Sequence, residues 1–284
     1  MRKEIYLREA PALSSAPSAS SKKVTTCAPS AIEGYRNITC APSAISNAKG
    51  NNCAPVTDPD ISSKLAIIEI TNLCNAHCSM CYMSAKKVDD KSTDSHGDVF
   101  SFIGRMLRVK SEGANILSLL GGEPTISDKL TSLLFIANSI GFENVIVHTN
   151  GMHLDEKLLG AFKKNRVNVK VSIYGITDLQ GDRVMSVDGA QSRVKKNINK
   201  LLLAGIPVHL CFIGDTRQKD IPLYLNENFS KGSDDISYSI HPVIAAGRGK
   251  NLGTVTQNEK CCCDNNLIYY RFDGKRRNCV FDLH

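Results

Sequence analysis

A chain of 284 residues, 42% hydrophobic and 22% charged, has enough apolar material for one large globular domain with or without appendages. No stretch approaches the roughly 18 consecutive apolar residues of a membrane span, and the start, MRKEIYLREAPALSS, lacks the apolar run of a secretory signal. The net charge of +7 comes without a dense basic run interleaved with aromatics, so neither a membrane nor a nucleic-acid partner is expected. Eleven cysteines, an odd number in local clusters, argue against a disulfide framework and for thiols kept reduced in a cytoplasm, several of them as metal ligands.

Residues 1–60 read as a low-complexity arm. PALSSAPSASS has no apolar periodicity, and a 13-residue repeat (TCAPSAIEGYRNI, TCAPSAISNAKGN, then a decayed NCAPVTDPD) places Cys27, Cys40 and Cys53 in register. The simplest account is a duplicated linker, and the alternative is a fused or mimicked substrate.

Regular patterning begins near residue 64. KLAIIEI (64–70) has the β-branched density of a buried strand. DVFSFIGRMLRV (98–109) predicts a helix with Phe102, Ile103, Met106 and Leu107 on one face. NILSLL (115–120) is strand-like, and SDKLTSLLFIANSIG (127–141) predicts a helix capped by Ser127 and stopped by Gly141. NVIVHT (144–149), VNVKVSIY (167–174), PVHLCFI (207–213) and DISYSIHPV (235–243) continue the strand series, with helices near 155–164 and 188–204. Cys211, inside an apolar strand, reads as a small core residue. Alternating β and α units imply an α/β protein with a parallel sheet and right-handed crossovers. Six units are too few for a closed eight-stranded barrel, so the expected fold is an open, partial (β/α)6 barrel spanning 61–245.

In such barrels chemistry gathers at the C-terminal strand ends. The first strand is followed by CNAHCSMC, with Cys74, Cys78 and Cys81; the second by GGEP, Gly121 to Pro124; the third by TNG, with Asn150. Ser172 lies near the end of the fourth strand and His241 near the end of the sixth. Three thiols are one ligand short of the usual four of a closed zinc or iron–sulfur site. Gly121 and Gly122 allow close approach of backbone to a ligand, and a carboxylate such as Glu123 suits an ammonium group.

CNAHCSMC matches the CxxxCxxC signature of radical S-adenosylmethionine (SAM) enzymes and GGEP matches their second motif, so residues 64–245 resemble that family. The resemblance implies that Cys74, Cys78 and Cys81 hold three irons of a [4Fe–4S] cluster, the fourth iron being ligated by SAM. It places Gly121, Gly122 and Glu123 at the methionine end of SAM, with Asn150 beside them. Ser172 and Arg183 stand where the family contacts ribose and carboxylate. Met80 occupies the position before the third cysteine where many members carry an aromatic. An electron donor such as flavodoxin or ferredoxin is implied, and no residue is singled out as a general acid or base.

The segment 246–284 is a cysteine-rich tail. From Cys263, Gly274 and Cys279 follow at the spacing that opens the SPASM and twitch modules of peptide-modifying radical SAM enzymes. The hairpin LIYYRFDGKRRNCVF is expected to return Cys279 to Cys263 for an auxiliary iron–sulfur cluster, with Cys261 or Cys262 as further ligands. The module is incomplete, because the chain carries no later cysteines. The expected activity is radical modification of a peptide. The alternatives are a radical SAM enzyme acting on a small molecule in cofactor biosynthesis, and a non-catalytic iron–sulfur or zinc protein, the zinc site completed by His77 or a distant thiolate.

Overall fold

The computed structural model describes residues 64–88, 97–214, 218–230, 236–252 and 267–277. The 13-residue repeats and Cys261, Cys262, Cys263 and Cys279 lie outside them. In chain order the elements are β1 (Lys64–Glu69), β2 (Leu73–Cys74), β3 (Lys86–Lys87), α1 (Val99–Ser111), β4 (Ala114–Leu120), α2 (Leu130–Ile140), β5 (Asn144–Thr149), α3 (Glu156–Lys164), β6 (Asn168–Ile173), α4 (Asp178–Met185), α5 (Ala190–Leu203), β7 (Val208–Ile213), α6 (Ile221–Asn228), β8 (Ser237–His241), β9 (Leu267–Tyr270) and β10 (Arg276–Arg277).

The main sheet runs β10-β9-β1-β4-β5-β6-β7-β8. Every neighbouring pair is parallel except β9–β10. The six expected strands are β1 and β4 to β8, in their chain order across the sheet, as successive right-handed crossovers dictate. The expected tail hairpin forms as β9 and β10, but two pairings were not legible. LIYY forms β9 on the free edge of β1, in register Leu65↔Leu267 to Ile68↔Tyr270. A parallel partner two hundred residues away leaves no local pattern. The cysteine loop also makes its own parallel pair, Leu73↔Lys86 and Cys74↔Lys87.

Helix starts follow their caps. Asp98 accepts from the Ser101 N–H, Asp155 from Leu158, and Thr177 forms a reciprocal capping box with Gln180. Two expectations need correction. The helix expected from Ser127 begins at Leu130, because Pro124–Ile126 first closes a 3-10 turn that ends at Ser127. On α1 the buried stripe is Phe102, Met106 and Val109, and Leu107 is 52% exposed. The face contacting the sheet follows the 4–3 spacing and leaves Leu107 on its outer margin.

The main core lies between the sheet and its helices. Along β5, β6 and β7 the residues Val145, Val147, Val169, Val171, Ile173, Val208, Leu210 and Phe212 are buried there. The alternate residues, Ile146, His148, Lys170, Ser172, His209 and Cys211, are only partly buried on the opposite face. Cys211 is therefore not a core residue: strand alternation turns it away from Phe212 and towards Ser239, whose hydroxyl lies 3.8 Å from its sulfur.

Candidate active site

The C-terminal ends of β1, β4 and β5 meet around the cysteine loop, and glycine makes the meeting close. A Cβ on Gly121 would lie 2.3 Å from the Thr71 carbonyl oxygen, and one on Gly122 would lie 2.2 Å from that of Leu73. In that space the Gly122 N–H donates to Thr71 O and the Glu123 N–H to Leu73 O, both at 2.8 Å. The glycines do permit a close backbone approach, but to the stem of the cysteine loop, and these two N–H groups are already used.

Glu123 is 1% exposed, and its carboxylate ties its own turn to the end of β5. Oε1 accepts from the Thr125 and Thr149 hydroxyls, each at 2.6 Å, and from the Thr125 N–H; Oε2 accepts from the Asn150 N–H at 2.7 Å. Desolvation by burial raises its pKa, against the lowering effect of those donors. Asn150, held by this bond, sends its side-chain amide to Asn75 Oδ1 at 2.7 Å and to Cys74 Sγ at 3.7 Å. The turn residue after the third strand thus reaches the first cysteine.

Cys74 and Cys78 are buried, Cys81 is half-buried, and all three are free thiols. Burial above all, with Glu123 beside Cys74 and the neighbouring cysteines adding to it, pushes the Cys74 and Cys78 thiols up to about 12. Thiolates here would need a cationic centre to compensate them. Among the described residues no three His, Cys, Asp or Glu side chains are placed to hold a single metal ion. His77 points its exposed side chain away from burial, while its N–H donates to Met185 O. The donor set is therefore three soft sulfurs on one loop, which fits an iron–sulfur cluster in kind.

The remaining expected residues divide. Ser172 hydrogen-bonds Tyr174, whose side chain in turn bonds Cys78. Met80 faces Gly214 at the end of β7, with its methyl 3.7 Å from where a Cβ would stand. Arg183 is exposed on α4. Only the carbonyls of its helix neighbours reach the loop, Val184 accepting from Ser79 and Met185 from His77.

Two contributors were missed from the sequence. Tyr174, one residue past β6, sits beside the cysteines, and burial raises its hydroxyl pKa well above the usual value. The turn Gly247-Arg248-Gly249 follows β8 and grips the loop from below. Arg248 Nε donates to Cys78 O and Nη1 to Ala85 O, both at 2.8 Å, and its N–H donates to Cys81 O at 2.9 Å. Gly247, at φ +53°, has no room for a Cβ, which would stand 2.3 Å from Tyr82 O. The available signal was positional: AAGRGK follows a strand end, where the other motifs also fall.

Comparison with known proteins matches residues 68–220 to the model of the Radical SAM superfamily. The sporulation killing factor maturation protein SkfB of Bacillus subtilis is 31% identical over 195 residues, 68% of this chain and 44% of that protein. A probable GTP 3',8-cyclase of Saccharolobus islandicus is 28% identical over 191 residues, 64% of this chain and 58% of the relative. The chain therefore spans about half the length of the curated relatives it matches. In fold it is similar to Streptococcus suis SuiB bound to its precursor peptide SuiA, with a TM-score of 0.60 at 13% identity over 78% of this chain and 60% of that one.

Proposed function

Because the chain belongs to the radical SAM superfamily, we propose that it is a radical SAM enzyme acting on a peptide. The observation that supports this most is the convergence of three strand ends on one three-thiol loop, with Asn150 reaching Cys74 and Arg248 holding the carbonyls of Cys78 and Ala85. In this reading Cys74, Cys78 and Cys81 hold a [4Fe–4S] cluster. When bound, cluster and SAM supply reductive cleavage of SAM and a 5′-deoxyadenosyl radical that abstracts a substrate hydrogen. The chain's own part is to bind, orient and keep out water. Gly121 and Gly122 bring the β4 end against the loop, leaving backbone carbonyls for the methionine end of SAM. Glu123 braces that surface from inside, Asn150 fixes the first thiol, and Ser172 and Tyr174 border the third side. Met80 and Arg183 are proposed contacts on the adenosine and carboxylate sides.

The peptide substrate rests on the likeness to SkfB, named for maturation of a sporulation killing factor, and on the fold shared with SuiB. Likeness to the GTP 3',8-cyclases favours a second reading, a small-molecule substrate. An auxiliary cluster on Cys263 and Cys279 and delivery of electrons by a flavodoxin or ferredoxin complete the proposal. Anaerobic reconstitution with iron and sulfide tests it: about four irons per chain are expected at the first site, and about eight if the auxiliary cluster also forms. Addition of SAM should perturb the spectrum, and dithionite should release 5′-deoxyadenosine. Bound zinc with no SAM response would overturn it.

A further inference from the structure

Beyond the cysteine loop, the face of the sheet turned away from the helices carries a second constellation. His148 on β5 stands opposite Lys170 on β6, Lys170 opposite His209 on β7, and His209 opposite Ser237 on β8. Partners across parallel strands lie about 5 Å apart, so these side chains form one row. Hydrogen bonds extend it: His209 Nδ1 lies 2.9 Å from Ser237 Oγ, and Nε2 lies 2.9 Å from Ser239 Oγ. Ser239 Oγ in turn lies 2.7 Å from His241 Nε2. Cys211 faces the same row through Ser239.

The charges in this row are of one sign. Among the described residues the charged groups acting on His148 and His209 are Lys170 and neighbouring imidazoles, and the one acting on His241 and on Cys211 is Lys170. Among the described residues no carboxylate forms an ion pair with Lys170. Each of these residues keeps some solvent exposure, so the row is not sealed within packed core. Burial and Lys170 push the imidazoles of His148 and His209 down to about 3 and that of His241 down as well, leaving neutral rings at neutral pH. A half-buried ammonium flanked by neutral imidazoles and hydroxyls, with no acidic partner among the described residues, is complementary to an oxyanion. The row also lies near the proposed chemistry. Lys170 is two residues before Ser172 on one strand face, about 7 Å away, and Ser172 leads through Tyr174 to Cys78.

We infer that Lys170, with His148, His209 and His241, forms a substrate-recognising floor that takes an oxyanion group. This rests on the radical SAM reading, since it places the substrate on the open face beside the cysteine loop. The shared chemistry is a carboxylate of a peptide or a phosphate of a nucleotide.

The test uses the full, reconstituted chain at pH 7 with labelled histidine, its imidazole signals assigned by single His→Gln variants and followed by NMR as acetate or inorganic phosphate is added, against chloride alone at equal ionic strength. An oxyanion held by Lys170 sits against these rings, so at least one of the three imidazole signals should shift saturably with anion concentration. Acetate alone doing so assigns the floor to a carboxylate, and phosphate alone to a phosphate. The K170Q variant should weaken the effect about tenfold and K170R should restore it. No shift with either anion, or a shift unchanged in K170Q, overturns the inference. The SAM response of the cluster spectrum, read in the same samples, reports separately on the proposed reaction: its loss with the shift retained would defeat that reaction and leave the floor standing.

Discussion

Across the sheet, the face turned away from the helices changes character between β4 and β5. On the β9–β1–β4 side it is sealed by Ile67, Leu120 and Tyr269, with Tyr82 and Met83 of the cysteine loop packed against them. On the β5–β8 side the same face is polar and open, carrying His148, Lys170, His209 and Ser239. The helical face is uniformly apolar along both halves. The contrast teaches a division of labour within one continuous sheet. One half spends its inner surface on anchoring a loop, so its glycines and buried carboxylates serve backbone geometry. The other leaves its inner surface to be satisfied by something else.

Breaking the anchored half should have the largest consequence at the thiols themselves. C74A, C78A or C81A should each abolish the SAM-responsive spectrum and most of the iron retained after reconstitution, while far-ultraviolet circular dichroism stays that of the wild type. Next comes the glycine seam. In G122A a methyl must displace the Leu73 carbonyl, because backbone on both sides leaves nothing flexible to yield. A cost of about 3 kcal/mol is expected, read as a lowered midpoint in denaturant unfolding. A smaller loss follows from R248A, which removes two charged donors from Cys78 O and Ala85 O. About 1–3 kcal/mol of loop stability is at stake, measurable as faster loss of iron to a chelator; R248K keeps the charge but not the fork and should recover only part of it.

The mildest effect sharpens the sealed side through pH. Glu69, buried at the end of β1, accepts from the Tyr269 hydroxyl and the Phe272 N–H, and desolvation raises its pKa. The folded state then holds a proton that the unfolded state releases, so stability rises as pH falls from the folded pKa towards about 4.5. E69Q should flatten that rise in unfolding midpoints between pH 7 and 5, and an unchanged slope would remove Glu69 as its source.

Much of this was legible in the sequence where signals are local. Strand periods, glycine after α2, and the spacing of Cys74, Cys78 and Cys81 depend on neighbours a few residues apart, and their order along the chain implied the parallel sheet. The GGEP residues were legible as a close approach, but not what they approach, since Thr71 and Leu73 are fifty residues away. At Glu123 nothing in the sequence predicts that Thr125, Thr149 and Asn150 all turn donors onto its carboxylate. Cys211 was misread because a strand of mixed residues discloses its period but not which phase faces the helices. Arg248 and Tyr174 were missed for the complementary reason: each acts on a loop belonging to a different part of the chain.

The grip of Arg248 on Cys78 has a consequence in time. The two residues are separated by 170 positions, so the loop after the first strand is finished only when the turn after β8 has arrived. Contacts of such separation form late, after loop closure has been offset by the shorter-range pairings between them. A nascent chain emerging from a ribosome would expose Cys74, Cys78 and Cys81 first and acquire their clamp only after β8. Loading of a metal cluster is then a step for the folded protein, with the order of synthesis itself keeping the site incomplete until the sheet is built.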